Sequence, residues 1–147
     1  MIVRVMGEGQ DQVDDLREVD DHEPVANDVC HKRAYEAIGK LVAPAERMGV
    51  SLNMENIFFN GFLMTPQEMI DFVDDFNSPN LHVHFDTGNI MLFQHPEHWI
   101  QILGRRIGNT HFKEFTKKGT DHSLESFRPL LDGTTNWPAV MAALDET

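Results

Sequence analysis

Two hydrophobic periods alternate along the chain. Segments in which every second residue is apolar have the period of a β-strand, whereas apolar residues three and four apart indicate an amphipathic helix. The first pattern predicts strands over residues 2–6, 50–56, 81–86 and 109–115. The second pattern predicts helices over residues 27–48, 65–76, 95–107 and 136–147. The resulting order, βαβαβαβα, is typical of parallel strands joined by right-handed helical crossovers.

Local signals place several helix ends. Gly49 is suited to end the first helix, and Pro44 is expected to disturb its last turn. Thr65 is expected to cap the second helix, with Pro66 at its first position and Glu68 closing a capping box. These signals predict boundaries that a structure can check residue by residue.

The third predicted strand, with the sequence LHVHFD, has an apolar face and a polar face. Its odd-numbered positions are apolar, and its even-numbered positions are His82, His84 and Asp86. Helices that cover one side of a parallel sheet pack on the apolar face. We therefore predict that His82 and His84 face the other side of the sheet, away from the helices.

Residues that can bind a metal stand near the carboxyl ends of three successive predicted strands. They are Glu55, Asp86 and His111. Sites of α/β folds are built at this end of the strands, and two carboxylates with an imidazole suit a divalent ion. Each residue also has an ordinary explanation as a helix cap, a solvated loop residue or a hydrogen-bonded core histidine. The pattern alone leaves both interpretations open.

Composition narrows the class of protein. The length of 147 residues suggests one domain, residues 1–147, in which the acidic segment 7–24 is expected to be a mobile loop. The net charge of −12 opposes nucleic-acid binding, which depends on Lys and Arg at phosphates. A single cysteine, Cys30, excludes an internal disulfide. Neither a signal peptide nor a membrane span is evident, so a cytoplasmic protein is expected.

Four segments resemble the xylose isomerase-like TIM-barrel superfamily in order and spacing. They are NMEN, FLMTPQEMIDFVDDFNSPNLHVHFDTGN, HWIQILGRRIGNTHFKE and DGTTNWPAVMAAL. They are most similar to the sugar phosphate isomerases and epimerases, which include hexulose-6-phosphate isomerases, ribulose-phosphate 3-epimerases and tagatose 3-epimerase-like enzymes. The resemblance implies an α/β fold of TIM-barrel (β/α) units. About four of the eight units are represented, as a partial barrel of strands four to seven.

The resemblance also implies a site. Glu55, Asp86 and His111 match ligands of a divalent ion such as Mn, Mg, Co or Zn. Glu55 also matches a catalytic acid/base group that abstracts a proton next to a sugar carbonyl, with the metal stabilising an enediolate. The second catalytic Glu of the family belongs to a later strand, and Glu146 does not match it. Glu114 stands where an Asp is common.

Four residues are candidates for binding the substrate, which would be a small sugar or sugar phosphate. They are His84, Asn89, Lys113 and Arg128. His84 would line the pocket, although a hydrogen-bonded core position is an equal alternative. Asn89 stands where some relatives have a His. Lys113 and Arg128 would meet a phosphate.

Two other functions share this fold. One is a metal-dependent DNA repair nuclease of the endonuclease-four type, which the charge of −12 and the shortage of suitable ligands oppose. The other is a non-catalytic partial barrel. General acid–base catalysis by one group typically accelerates a reaction by ~10²–10⁴-fold. Because the second acid/base group of the family is missing, the chain alone is expected to be inactive as an isomerase. Open sheet edges are expected to make it associate with itself or with the missing strands.

Overall fold

A computed structural model describes residues 25–58, 61–119 and 123–147, together with the backbone of residues 2–6. The predicted acidic loop, residues 7–24, lies outside the described residues. The strands are β1 Ile2–Met6, β2 Ser51–Glu55, β3 Leu81–Asp86, β4 Ile107–His111, β5 Glu114–Phe115 and β6 Phe127–Arg128. The α-helices are α1 Asn27–Met48, α2 Pro66–Asp74, α3 Pro96–Leu103 and α4 Trp137–Asp145.

Local sequence signals predicted most of the helix ends. Helix α1 has the predicted bounds, continues through Pro44, and ends at Gly49, whose φ of 64° is left-handed. Helix α2 begins with the predicted capping box, in which the Thr65 side chain accepts from the backbone N–H of Glu68. Helix α3 ends four residues before its prediction, and a short 3₁₀ turn, Gly104–Arg106, continues it. Among the described residues, no helix has the length and apolar character needed to cross a membrane.

Four strands form the main sheet in the order β1-β2-β3-β4. The pairs β2–β3 and β3–β4 are parallel, as predicted. Strand β1 is antiparallel to β2, so the prediction of parallel pairing is wrong for this strand. The two-residue period of a strand is the same in both chain directions, and for this reason the pattern did not indicate the direction of β1.

The predicted fourth strand, residues 109–115, is divided in two. Strand β4 ends at His111. The end of the predicted strand is the separate β5, which pairs antiparallel with β6 in the segment predicted to be loop. The side chain of Thr87 explains the break. Its hydroxyl oxygen accepts from the backbone N–H of Lys113 and lies 2.8 Å from the carbonyl oxygen of the same residue. These contacts satisfy the Lys113 backbone without a neighbouring strand.

The hydrophobic core lies between the main sheet and its helices. The odd-numbered side chains of β3 are buried in it, and the ring of Phe85 stacks on Trp99 of α3 with centroids 6.1 Å apart. The larger buried residues of the core include Ile38, Leu52, Met54, Met69, Phe72, Leu81, Val83, Phe85, Trp99, Ile100 and Leu103. The predicted faces of β3 are therefore confirmed, and the even-numbered residues of this strand lie on the side away from the helices.

Candidate metal centre

Strand register brings the candidate ligands to one face of the sheet. Glu55 on β2 is level with His84 on β3, and Asp86 on β3 is level with His111 on β4. Level side chains of parallel neighbours point to the same side, and so do residues two apart on one strand. The four side chains therefore share the face away from the helices. Glu55, Asp86 and His111 are brought together as the sequence predicted, and His84 lies among them.

A β-bulge in β4 is required for this arrangement. Val83 pairs with Ile107 and His84 pairs with Asn109, so the intervening Gly108 has no partner on β3. Without this extra residue His111 would be shifted by one position, and a one-residue shift turns a side chain to the other face.

Gly108 also occupies a crowded position at the bulge. A Cβ atom there would lie 2.6 Å from Oδ1 of Asn53 and 2.7 Å from Cβ of His82. Both distances are shorter than ordinary van der Waals contacts. Glycine therefore fits the bulge, whereas a residue with a Cβ atom would force Asn53 or His82 to move.

Three side chains form a compact donor group. One ligand atom each from Glu55, His84 and His111 lies within 4.8 Å of the other two. Donor atoms on one ion are roughly 3–4 Å apart, because metal–ligand bonds measure about 2.0–2.2 Å. Small side-chain movements would therefore bring all three atoms to a common ion. Glu55 is 5% exposed and His84 is 3% exposed, whereas the His111 side chain is 41% exposed.

Asp86 adjoins this group through His111. Its carboxylate is fully buried, and Oδ1 accepts hydrogen bonds from the backbone N–H groups of Gly88 and Asn89 at 2.9 and 2.8 Å. Oδ2 lies 2.9 Å from Nδ1 of His111 and 3.1 Å from Nζ of Lys113. Among the described residues, neither Oδ2 nor Nδ1 has a hydrogen-bond partner in suitable orientation.

The short distance between Oδ2 of Asp86 and Nδ1 of His111 fits a metal site. Ligand atoms that share one ion can lie about 3 Å apart or slightly more, because metal–ligand bonds measure about 2.0–2.2 Å. A carboxylate oxygen and an imidazole nitrogen that face each other at 2.9 Å without a hydrogen bond have this spacing. The residues present therefore fit a divalent ion, with the Lys113 ammonium as a second, weaker source of positive charge for Asp86.

Two of the predicted substrate residues adjoin Asp86. Nζ of Lys113 donates to Oδ1 of Asn89 at 3.0 Å and lies 4.9 Å from the ring centroid of Phe127. Arg128 is exposed on β6, and the structure gives it no hydrogen bond or ion pair to Asp86, Asn89 or Lys113 within the described ranges. Lys113 and Asn89 thus contact each other beside Asp86, and the role of all three predicted residues, Arg128 included, stays a prediction.

Sequence reasoning missed Asn56, which orients Asp86. The Asn56 side chain accepts from the Asp86 backbone N–H at 2.8 Å and donates to the Asp86 carbonyl at 2.9 Å. The backbone carbonyl of Asn56 in turn accepts from the Asn89 side chain at 2.9 Å. Its position directly after Glu55 in NMEN was the available signal. A buried amide that pairs with the backbone of the neighbouring strand, 30 residues away in the chain, is visible only after folding.

The carboxylate of Glu114, unlike that of Asp86, is surrounded by hydrogen-bond donors of the fold. It is 1% exposed, and its oxygens accept from Trp137 Nε1 at 2.6 Å and from the backbone N–H groups of Thr135 and Leu131 at 3.1 and 3.2 Å. Burial raises the pKa of Glu114, but hydrogen bonds from Thr135 and Trp137 outweigh burial and leave the pKa below its ordinary value. Glu114 therefore anchors the segment that leads into α4.

Comparison with known proteins identifies the family of this fold. Residues 5–147 match the family described as the xylose isomerase-like TIM barrel. The chain belongs to this family. The predicted resemblance and the predicted fold class, a partial α/β barrel of TIM-barrel type, are confirmed by this match.

Three proteins that are similar to this chain illustrate the likeness. An uncharacterised protein of Methanocaldococcus jannaschii is 27% identical over 115 residues, which cover 76% of this chain and 38% of the relative. A D-tagatose 3-epimerase-like protein has a crystal structure that superposes with a TM-score of 0.67 at 26% identity, covering 79% of this chain and 43% of that chain. D-Psicose 3-epimerase, crystallised in the presence of D-fructose, superposes with a TM-score of 0.66 at 23% identity, covering 87% and 42%. The chain thus spans less than half the length of each of these relatives.

Proposed function

We propose that this chain provides the metal-binding strands of an isomerase or epimerase that acts on a sugar or a sugar phosphate. The observation that carries the proposal is the buried Asp86 oxygen facing the His111 nitrogen, with Glu55 on the same face. Membership of the family and the likeness to a D-tagatose 3-epimerase-like protein support the same reaction class.

The proposed ligands of the divalent ion are Glu55, Asp86 and His111, and the ion would be Mn, Mg, Co or Zn. When bound, such an ion supplies Lewis-acid polarisation of a carbonyl and makes the neighbouring C–H more acidic. Asp86 is held for this role by the backbone N–H groups of Gly88 and Asn89 and by the Asn56 side chain.

Glu55 is the proposed base. It ends β2 on the polar face and is 5% exposed, so water competes little for its carboxylate. The proton taken from the carbon next to the carbonyl would reside on the Glu55 carboxylate and exchange there with solvent, and the same carboxylate would then return a solvent-derived proton to the substrate. Lys113 and Asn89 lie beside Asp86 and would hold a substrate hydroxyl or phosphate.

The nuclease alternative has less support. The named enzymes among the structural neighbours described above act on sugars according to their names, and the net charge of −12 opposes an approach to a phosphate backbone. The expectation that the chain associates with itself remains a prediction.

Solvent deuterium exchange tests proton abstraction with a single base. The protein is incubated in D₂O with Mn²⁺ and a panel of ketopentoses, ketohexoses and their phosphates, and exchange next to the carbonyl is followed by NMR. We expect Mn²⁺-dependent exchange into at least one ketose, reduced ~10²–10⁴-fold in Glu55→Gln. His82→Gln is the matched control, because His82 belongs to the same sheet face one step away from the donor group.

Two results would contradict the proposal. One is a folded, metal-loaded protein that exchanges no deuterium into any ketose of the panel. The other is exchange that persists undiminished in Glu55→Gln. Light scattering after size exclusion, run on the same samples, measures whether the chain self-associates.

A further inference from the structure

His84 lies at the centre of the polar face. It is level with Glu55 on one neighbouring strand and with Asn109 on the other. Its side chain is 3% exposed, although the position is two residues before the end of the strand. An imidazole buried at this depth needs polar partners, and the polar face of the sheet is where they are found.

The distances place His84 within reach of the same ion as His111. Ligand atoms of His84, His111 and Glu55 are mutually within 4.8 Å, and the two imidazole centroids are 6.0 Å apart with the rings tilted by 54°. A ring centroid lies roughly 3 Å from an ion bound to its nitrogen, so two imidazoles on one ion have centroids at most about 6 Å apart. The observed separation is at this upper limit.

Both oxygens of Asp86 already have neighbours in the fold. Its Oδ1 is used by two backbone N–H groups. Its Oδ2 is shared between His111 and the Lys113 ammonium, at 2.9 and 3.1 Å. An ion at this site must therefore compete with Lys113 for the Asp86 carboxylate.

We infer that His84 is itself a ligand of the ion, so that the centre contains two imidazoles and not one. This inference rests on the proposed metal site and adds to it, because the sequence left a pocket-lining role and a hydrogen-bonded core position equally open for His84. Imidazole nitrogen suits Zn²⁺ and Co²⁺, whereas Mg²⁺ is suited by oxygen donors. A centre with two imidazoles therefore selects Zn²⁺ or Co²⁺ over Mg²⁺.

Metal titration of matched variants tests the inference. Zn²⁺, Co²⁺ and Mg²⁺ are titrated by calorimetry into the wild type, His84→Gln and His82→Gln, and the visible absorption of the Co²⁺ forms is recorded. We expect His84→Gln to weaken Zn²⁺ and Co²⁺ binding by more than the roughly 10–100-fold that is typical of losing an outer-shell partner, and to alter the Co²⁺ spectrum. Mg²⁺ binding should change by less than about threefold, and His82→Gln should change none of these quantities.

The outcomes separate this inference from the proposed function. If His84→Gln binds Zn²⁺ as the wild type does while Asp86→Ala does not, His84 is not a ligand and the proposed function stands. If the wild type binds none of the three ions, both fail. Should His84→Gln not fold, ¹⁵N NMR of wild-type histidines during Zn²⁺ titration decides the matter. A ring nitrogen of His84 should then show the large shift of metal binding, and an unshifted signal overturns the inference.

Discussion

Two buried carboxylates of this protein have opposite surroundings. Asp86 is 0% exposed and Glu114 is 1% exposed. The oxygens of Glu114 accept five hydrogen bonds from neutral donors, three at Oε1 and two at Oε2. In contrast, Oδ2 of Asp86 faces an imidazole and an ammonium group without a well-oriented hydrogen bond from the described residues.

The contrast shows that burial alone does not mark a functional carboxylate. A buried carboxylate that neutral donors surround has no capacity left for a ligand, and its donors lose their partner if it is removed. A buried carboxylate with an oxygen left facing other ligand atoms has a position for a cation. Glu114 belongs to the first kind and Asp86 to the second.

The largest effect is expected from removing Glu114. Glu114→Ala should lower the free energy of unfolding by about 3 kcal/mol, because several buried donors lose their acceptor together. Urea denaturation measures the change, with the exposed Glu125→Ala as control. Metal affinity should stay within about threefold of the wild type.

Gly133→Ala should also lower the free energy of unfolding in the same urea experiment, since a Cβ at Gly133 would overlap the Glu114 carboxylate.

The complementary change is Asp86→Ala. We expect Mn²⁺ affinity measured by calorimetry to fall by about 100-fold, or roughly 2.7 kcal/mol, because the ion loses its most deeply buried oxygen ligand. Glu114→Ala serves as the comparison within the same experiment. Equal Mn²⁺ binding by Asp86→Ala and wild type would remove the distinction between the two carboxylates.

Acid stability gives a third, smaller contrast. The pKa of Glu114 lies below its ordinary value of 4.5, so the folded state binds a proton less readily than the unfolded state. The resulting stabilisation is complete above this ordinary pKa and is lost as the pH falls through the lower folded value. Urea denaturation in steps from pH 6 to pH 3 should therefore show a decline that Glu114→Gln reduces. An unchanged decline in Glu114→Gln would assign it to other groups.

Asp74 provides a control for this pH experiment. The hydrogen bond from Arg106 lowers the pKa of Asp74, although burial acts in the opposite direction. The Asp74 side chain is nearly half exposed, so solvent and salt screen the pair and its share of the acid sensitivity should be minor. Asp74→Asn should accordingly alter the decline less than Glu114→Gln does.

The smallest effect is expected at Lys113. Lys113→Met removes the ammonium 3.1 Å from Oδ2 of Asp86, and with it a cation that competes for the same oxygen. Mn²⁺ affinity should rise about fivefold, corresponding to about 1 kcal/mol at a partly exposed position. The gain should shrink at high salt, which screens the removed charge. A loss of affinity would show instead that Lys113 supports the site through its bond to Asn89.

The sequence by itself determined those features whose signals lie in neighbouring residues. The period of β3 predicted its bounds and its two faces, and the capping box of Thr65 and Glu68 predicted the start of α2. The grouping of Glu55 with Asp86 was also predictable, because parallel strands joined by helices end at one edge of the sheet. Their role as ligands remains a proposal.

Only the tertiary structure decided which residues lie opposite one another. The antiparallel direction of β1 and the bulge at Gly108 leave no trace in a two-residue period. The bulge turns His111 toward Asp86, and the strand register places His84 beside both His111 and Glu55. Such contacts depend on register between strands about 25 to 30 residues apart in the chain, and a periodic pattern specifies the face of a side chain but not its neighbour on the next strand.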